Sequence, residues 1–224
     1  MNLEQKIDLT NSVLEKALSL TENRHIYVAW TGGKDSTVTL YLWINFLKLK
    51  GYTSRPEAVN LDTGYKFPEI IRFRDELASS WDIKVHVIRP DKDRDSYPVA
   101  RDRIMCCTDL KINPLKRAAR ELKIKALITG IRNDEHPDRR SRKQVEEKSD
   151  PFYYQINPIL HWTEMDIWAF TVQYGLPYCV LYDHGYTSLG CVPCTRKPVS
   201  QGERSGRDST KEENLDVLRS LGYF

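Results

Sequence analysis

The chain has 224 residues, which is long enough to bury a sizeable core, and 40% of them are hydrophobic. It carries 34 basic and 31 acidic residues, so the formal net charge of +3 gives no overall signature of polyanion binding. The sequence contains no run of 18 apolar residues and no signal-peptide pattern at its start, so we expect a cytoplasmic protein without a membrane partner.

Runs of apolar residues alternate with stretches of helical periodicity along the chain. The apolar runs predict strands over residues 25–29, 57–62, 84–88, 126–130 and 154–160. The periodic stretches predict helices over residues 4–20, 38–47, 68–80, 115–122, 165–174 and 212–221. Strands that alternate with helices form a doubly wound, mostly parallel sheet, so we expect an α/β, Rossmann-like fold. The polar segment 132–150 is expected to be an active-site loop.

A glycine-rich segment, Thr-Gly-Gly-Lys-Asp-Ser, lies between the first predicted strand and the helix that follows it. Two glycines let the backbone approach a ligand closely, and the N–H groups of the helix N-terminus point at an anion. Lys34 adds a cation, and Ser36 is expected to cap the helix and to donate to an oxyanion. A plain turn is the alternative, but we interpret the segment as a phosphate-binding loop. Its residues are Thr31, Gly32, Gly33, Lys34, Asp35 and Ser36.

The spacing of this loop differs from the Walker A motif and from the dinucleotide fingerprint. It resembles the pyrophosphate loop, Ser-Gly-Gly-x-Asp-Ser, of the adenine-nucleotide α-hydrolase superfamily. The resemblance implies that the loop holds the β,γ-pyrophosphate of ATP and that attack occurs at the α-phosphorus. If ATP binds there, we expect Asp35 or Asp62 to hold its Mg²⁺. Other predicted strands end at the same edge of the sheet, and their ends are expected to complete the nucleotide site. The residues assigned there are Asp62, Thr63, Gly130 and Arg132.

Four of the five cysteines fall into two groups, the adjacent pair Cys106 and Cys107 and the spaced pair Cys191 and Cys194. In a reducing compartment such groups indicate metal or redox chemistry rather than disulfides. Four thiolates suit either structural zinc or a [4Fe–4S] cluster. An adjacent pair fits the zinc tetrahedron poorly, so the spacing favours the cluster and leaves zinc open. Cys179 stands apart and is expected to be a buried filler.

The segments around these cysteines resemble those of iron–sulfur adenylylsulfate (APS) reductases. The first segment reads Cys-Cys-Thr-Asp-Leu-Lys-Ile-Asn-Pro-Leu, and the second spans residues 182–196. With matches at 129–132 and 202–207, the resemblance to the phosphoadenosine phosphosulfate (PAPS)/APS reductase family covers about residues 25–207. It implies that Lys111, Arg204 and Arg207 surround the sulfate of a bound APS-like nucleotide. It also implies that a [4Fe–4S] cluster is held by Cys106, Cys107, Cys191 and Cys194.

Two features depart from the reductase pattern. Reductases of this family attack sulfur with a cysteine in a C-terminal Glu-Cys-Gly-Leu-His segment, whereas no cysteine follows Cys194 in this sequence. Their loops also generally lack the Lys-Asp-Ser part that is intact here. Four further segments are similar to the small catalytic subunit of bacterial sulfate adenylyltransferase: residues 62–67, residues 73–75, residues 162–168 and the terminal Gly-Tyr-Phe.

Our leading hypothesis is therefore an iron–sulfur, ATP-using enzyme of sulfur metabolism that adenylylates an acceptor. Sulfate is the favoured acceptor, which would give APS and pyrophosphate. Catalysis would consist of positioning and of electrostatic stabilisation. The catalytic residues expected are Lys34, Lys111, Arg132, Arg204 and Arg207.

Three other hypotheses stay open. One is an APS or PAPS reductase that uses an external thiol. Another is a sulfur-inserting enzyme acting on tRNA or DNA, against which the modest net charge argues. The last is a non-catalytic nucleotide-binding or cluster-carrying module.

The chain is expected to form a single domain over residues 1–224. Residues 1–180 would be the nucleotide-binding core, and residues 181–224 the cluster-binding segment and tail. The partners expected are an adenine nucleotide, a sulfate-like oxyanion, a thiol or electron-donor protein and a second copy in a homodimer.

Overall fold

A six-stranded sheet lies at the centre of the computed structural model, which describes residues 1–223. Phe224, the last residue of the terminal Gly-Tyr-Phe segment, lies outside the described residues. The strands are β1 (Ile26–Ala29), β2 (Glu57–Leu61), β3 (Lys84–Ile88), β4 (Ala126–Ile128), β5 (Val145–Ser149) and β6 (Phe152–Ile156). Their order is β3-β2-β1-β4-β6-β5, and all neighbours are parallel except β5 and β6. The expected α/β class with a mostly parallel sheet is confirmed.

Eight α-helices are present within residues 1–223. They are α1 (Leu3–Thr21), α2 (Lys34–Leu49), α3 (Pro68–Ser80), α4 (Arg103–Cys107), α5 (Asn113–Glu121), α6 (Glu164–Gln173), α7 (Ser209–Glu213) and α8 (Leu215–Ser220). A π-helical turn, Thr108–Ile112, joins α4 to α5, and 3₁₀ turns lie at Pro137–Arg139 and Val192–Cys194. The helices predicted over 4–20, 68–80 and 165–174 are confirmed to within one residue at each end. None of the helices in the described part is both long and apolar enough to cross a membrane.

The order of the strands places the predicted phosphate-binding loop, residues 31–36, at a switch point of the sheet. The chain proceeds from β1 outward to β2 and β3, and then returns to add β4 on the other side of β1. In open α/β sheets the crevice that binds ligands lies beyond the carboxyl ends of the strands where the order reverses. The loop after β1 and the loop after β4 therefore meet there.

Side chains of the strands are buried alternately on the two faces of the sheet. Val28 of β1 joins the cluster formed with α1, α2 and α3, whereas Tyr27 and Ala29 join the cluster that contains Leu115 and Ala119 of α5. Successive strand residues point to opposite faces and both faces are covered, which explains why the last three residues of β1 are all buried and why the strand reads as a continuous apolar run. The sheet is covered on both sides, and only its edges are open.

The structure corrects three predictions and contains one short helix that the sequence did not predict. The segment 132–150, expected to be a loop, contains the Pro137–Arg139 turn and β5, an edge strand with so few apolar residues that its sequence reads as a loop. The strand predicted over 154–160 lies at Phe152–Ile156 instead. The single helix expected over 212–221 is two helices, because Asn214 ends α7 and begins α8. Helix α4 is only five residues long, too short for its periodicity to be detected.

Helix α6 begins with a capping box formed by Thr163 and Asp166. The Thr163 hydroxyl accepts a hydrogen bond from the Asp166 N–H at 3.2 Å, and the Asp166 carboxylate accepts one from the Thr163 N–H at 2.6 Å. Each bond satisfies a backbone donor that the first turn of a helix leaves without a partner.

We expect Thr163→Ala to lower the free energy of unfolding by about 0.5–2 kcal/mol, because it removes this cap. Urea denaturation measures the change. Ser19→Ala is the matched control, since its exposed hydroxyl bonds only to the Glu15 carbonyl within α1, and we expect it to stay within about 0.5 kcal/mol of the wild type. Equal losses in the two variants would contradict a capping role for Thr163.

Candidate active site

A cavity of about 150 Å³ lies beyond the carboxyl ends of β1, β2 and β4. Thr31, Gly33, Asp35 and Ser36 from the loop after β1 line it, together with Gly130 from the loop after β4. The two loops touch through backbone atoms, since a Cβ atom on Gly130 would lie 2.9 Å from the backbone of Asp35 and Ser36. Only glycine permits this approach, so the sequence brings the two predicted strand-end segments into one site.

The backbone of the loop is organised by hydrogen bonds within it. Gly33 is the N-cap of α2, so the expectation that Ser36 caps this helix is wrong, because Ser36 lies inside its first turn. The Ser36 hydroxyl donates instead to the Gly33 carbonyl at 3.0 Å and accepts from the Thr31 N–H at 3.2 Å. Gly32 has a left-handed φ of +83° and lies against Ile70 rather than in the cavity.

Lys34 is almost completely buried, with 2% of its surface exposed. Its ammonium group donates to the Glu203 carboxylate and to the Thr187 carbonyl at 3.2 Å, and lies 3.5 Å from an Asp35 oxygen. Burial alone lowers the pKa of Lys34, but Asp35, Tyr182 and Glu203 raise it overall. The side chain is therefore a buried cation whose charge the protein already balances.

Arg132 is fully buried beside Lys34 and is bound by three carboxylates. Its Nε donates to Asp35 at 2.6 Å, one terminal nitrogen donates to Asp134 at 2.5 Å, and the other donates to Glu203. Glu203 therefore bridges the two buried cations, one oxygen to each. Neither Lys34 nor Arg132 lines the cavity, although both were expected to be catalytic.

The cavity does contain other basic side chains, from the segments after β2, after α4 and near the C-terminus. Lys111 and Arg207, which the sequence predicts, line it together with Lys66. Burial lowers the pKa of Lys111, but the nearby Cys191 thiol and Tyr223 raise it overall. The Arg207 Nε is buried without a hydrogen-bond partner within the described residues, so the guanidinium retains an unused donor.

Arg204 also lines the cavity, but carboxylates bind its guanidinium on both sides. It donates to Glu135 at 2.5 Å and to the two oxygens of Glu212 at 2.5 and 2.8 Å. Glu135 also accepts from Arg139. This arrangement fixes Arg204 as part of an ion-pair network at the wall of the cavity.

Asp62 and Thr63 do not line the cavity, although both were expected to bind the nucleotide or Mg²⁺. They line a neighbouring groove that shares Lys66 with it. The Asp62 carboxylate accepts from the Gly64 N–H at 3.0 Å, and the Thr63 hydroxyl lies 3.2 Å from the sulfur of Cys191. Thr63 thus contacts the cysteine group rather than the loop.

The four grouped cysteines are free thiols that interact electrostatically with one another, and the backbone of Cys191 pairs with that of Lys66, which lines the cavity. Cys106 and Cys107 end α4, and Cys191 and Cys194 bracket the Val192–Cys194 turn. Burial raises the pKa of Cys106, and the other three thiols raise it further. Within residues 1–223 no group of three or more His, Cys, Asp or Glu side chains is arranged to hold a single metal ion.

Cations surround Cys191 in particular. Burial raises the pKa of this thiol, but Lys111 and Lys66 outweigh burial, and together with the Thr63 hydroxyl they lower the pKa to about 6. Lys211, which is 1% exposed, acts in the same direction. The cysteine side of the cavity is therefore strongly positive and favours anions.

Residues 25–197 match the family model of the phosphoadenosine phosphosulfate reductase domain. The chain belongs to this family. It is 31% identical over 198 residues to an adenosine 5'-phosphosulfate reductase of Pseudomonas aeruginosa, covering 81% of the chain and 71% of the relative. It is 32% identical over 176 residues to a phosphoadenosine 5'-phosphosulfate reductase of Xanthomonas campestris, covering 74% and 69%. The family predicted from the motifs is confirmed. The prediction that the chain is an enzyme of the sulfonucleotide reductase type is confirmed with it.

Solved structures show the same fold at lower identity. A PAPS reductase from Candida auris has a TM-score of 0.69 and 20% identity, covering 84% of this chain and 90% of that one. An FMN adenylyltransferase from Candida glabrata has a TM-score of 0.70 and 21% identity, covering 98% and 81%. A tRNA thiolase from Methanococcus maripaludis with a [4Fe–4S] cluster has a TM-score of 0.58 and 17% identity, covering 97% and 74%. These likenesses establish the nucleotide α-hydrolase-like fold alone.

The comparisons by sequence support the reductase alternative better than our leading hypothesis of sulfate adenylylation. Both hypotheses place the chain in the PAPS reductase family and in sulfur metabolism. The cluster, its four ligands and the roles of the individual site residues stay predictions.

Sequence reasoning missed three residues that shape the site: Lys66, Tyr182 and Glu203. Each lies in a segment that carried a family resemblance, which was the available signal. Their roles depend on which side chain they meet across the fold, and a single sequence does not show that.

The Glu135 network gives a pH-dependent contribution to stability. Burial raises the pKa of Glu135, but Arg139, Arg204 and Arg132 outweigh it and lower the pKa to about 2. A carboxyl whose pKa is depressed on folding stabilises the protein above its ordinary pKa, and this contribution is lost as the pH falls towards the folded value.

We expect Glu135→Gln to lower the free energy of unfolding at pH 7, because Arg139 and Arg204 lose a shared partner. The difference from the wild type should narrow as the pH falls from about 4.5 towards 2, since the wild type then loses the same charge. Urea denaturation at several pH values measures this. Glu121→Gln, at an exposed site, should differ little at any pH, and a gap for Glu135→Gln that is constant with pH would contradict the assignment.

Proposed function

We propose that the chain binds an APS-type nucleotide in the cavity at the carboxyl edge of the sheet and reduces its sulfate to sulfite with an external thiol. The observation that carries this proposal is the mixed lining of the cavity. Apolar side chains of Val59, Leu61 and Leu115 suit an adenosine, while Lys111 and Arg207 suit a bound oxyanion. Membership of the PAPS reductase family supports the same substrate class.

The nucleotide would lie with its adenosine against the apolar lining and its α-phosphate at the loop of residues 31–36. Its sulfate would then face Lys66, Lys111 and Arg207. The Arg207 Nε, buried without a partner in the described structure, is an unused donor on a residue that lines the cavity. These cations would offset the negative charge that moves onto AMP as it leaves.

The reaction needs two thiols. A thiolate attacks the sulfur of APS, the bond from sulfur to the bridging phosphate oxygen breaks, and AMP leaves with the electron pair. A second thiolate attacks the thiol sulfur of the resulting thiosulfonate, which releases sulfite and forms a disulfide. The two thiols thereby supply the two electrons that reduce S(VI) to S(IV). The protein contributes orientation and charge stabilisation.

We further propose that Cys106, Cys107, Cys191 and Cys194 hold a [4Fe–4S] cluster. All four are free thiols, and lysines lower the pKa of Cys191, which favours the thiolate form that a cluster requires. Bound there, the cluster would tie α4 to the Val192–Cys194 turn and supply a redox-active group beside the cavity.

We expect Cys191→Ser to lose most of the iron and sulfide that the wild type retains after purification without oxygen. Cys179→Ser is the matched control, because Cys179 is buried in an apolar cluster with Ile70 and Leu181. Iron and acid-labile sulfide per chain are the measurements. If Cys191→Ser and Cys179→Ser retained equal iron, the cluster assignment would be wrong.

One observation favours a second candidate, ATP-dependent adenylylation of an acceptor. The residues of the pyrophosphate-type loop are intact and sit at the N-terminus of α2, where a polyphosphate would be bound. In this candidate the released product would be pyrophosphate, and Lys34 would have to exchange Glu203 for a phosphate oxygen.

The deciding experiment compares both substrates on one preparation made without oxygen. We expect APS with dithiothreitol to give equal amounts of sulfite and AMP, and Lys111→Met to lower the rate about 10²–10³-fold by removing a cation from the sulfate. Lys125→Met, at an exposed position outside the cavity, should retain the wild-type rate. Pyrophosphate released from Mg-ATP in a sulfate-dependent manner, with no sulfite from APS, would replace the reductase with the adenylylation candidate.

A further inference from the structure

The loop of residues 31–36 raises a question of specificity, because it resembles loops that hold the β,γ-phosphates of ATP. In this structure protein groups already use the donors that such phosphates would need. The Lys34 N–H, at the start of α2, donates to the Tyr182 hydroxyl at 2.9 Å. The Lys34 ammonium and Arg132 donate to the two oxygens of Glu203. A carboxylate that spans two cations presents its oxygens much as a phosphate does.

Charge makes this arrangement selective. The side chains of Lys34, Arg132 and Glu203 are 1%, 0% and 8% exposed, so water screens their charges little. A β,γ-pyrophosphate group placed at Lys34 would meet the Glu203 carboxylate in this weakly screened region and would be repelled. In the proposed orientation AMP ends at its α-phosphate, and the sulfate of APS faces Lys66 and Lys111, so neither nucleotide places a group beside Glu203.

The segment that carries Glu203 is fastened on both sides. The Thr187 hydroxyl donates to the Glu203 carbonyl at 2.6 Å, and the Arg196 N–H donates to the Gly206 carbonyl at 2.8 Å. Gly206 packs so tightly that a Cβ atom there would lie 2.2 Å from the Arg196 oxygen. Moving the carboxylate away from Lys34 would therefore require this segment to shift or its two buried ion pairs to separate.

We propose that Glu203, assisted by Tyr182, is a specificity-determining residue that closes the β,γ-phosphate position of the loop. The chain then takes adenosine nucleotides of the AMP and APS type and rejects ATP. This inference rests on the proposed function and deepens it, since it names the feature by which an intact pyrophosphate-type loop serves a sulfonucleotide reductase.

The test measures binding of ATP, AMP and inorganic pyrophosphate by titration calorimetry, with and without Mg²⁺. Glu203→Gln retains the shape of the side chain and removes its charge. We expect it to tighten the binding of ATP and pyrophosphate about tenfold or more, while the affinity for AMP changes less than about threefold. Tyr182→Phe, which frees the Lys34 N–H, should shift the ratio of ATP to AMP affinity in the same direction.

Asp134→Asn is the matched control. Like Glu203→Gln, it removes one carboxylate that pairs with Arg132. Asp134, however, pairs with Arg132 and with the Glu164 N–H rather than with Lys34. We expect its ratio of ATP to AMP affinity to equal that of the wild type. Circular dichroism and the thermal midpoint identify any variant that fails to fold, and Tyr182→Phe then provides an independent reading.

Two results would overturn the inference, and they have different consequences for the proposed function. If AMP binds and APS is reduced but neither Glu203→Gln nor Tyr182→Phe alters the ratio, the role of Glu203 fails and the proposed function stands. If wild-type protein binds ATP more tightly than AMP, the role of Glu203 also fails, and the proposed function fails with it only when the same preparation releases no sulfite from APS.

Discussion

The ion pairs that Glu203 makes with Lys34 and Arg132 connect the C-terminal segment to the nucleotide-type loop. Burying an ammonium and a guanidinium side by side would cost several kcal/mol per ion without opposing charges. Asp35 supplies one such charge from within α2, but Glu203 arrives from the far end of the chain. The buried cations therefore depend on the C-terminal segment lying over the loop, and that same segment brings Arg207 to the cavity wall.

The strands and most helices were predictable because their signals are local. Apolar runs marked β1 to β4, and Pro68 set the start of α3 to the residue. The failures had different causes, of which tertiary pairing was one. The polar edge strand β5 exists because it pairs with β6, and Asn214 breaks the last predicted helix in two.

In the candidate site, too, some features were predictable from local sequence and others were not. Glycine spacing and strand ends were enough to place Gly130 against the loop, because parallel strands deliver their carboxyl ends to one edge. The partners of the charged residues were not predictable. Lys34, Arg132 and Arg204 looked like free cations for an oxyanion, yet each is bound by carboxylates from distant parts of the chain. Sequence shows which residues carry charge, whereas only the fold shows which charges are already balanced.

This distinction also accounts for the two competing hypotheses. The Thr-Gly-Gly-Lys-Asp-Ser motif indicates that its loop is able to hold phosphates, and it led us to predict ATP as the ligand. The balance of charges decides whether the loop is available, and Lys34 already has its counter-charge in Glu203. The cations that face the cavity, Lys66 and Lys111, instead lie where they also lower the pKa of Cys191. An anion bound at these lysines and a charged group on the cysteines would share the same positive charge, so each would weaken the field available to the other. In the proposed reductase, chemistry at the sulfate would therefore be coupled electrostatically to the state of the cysteines.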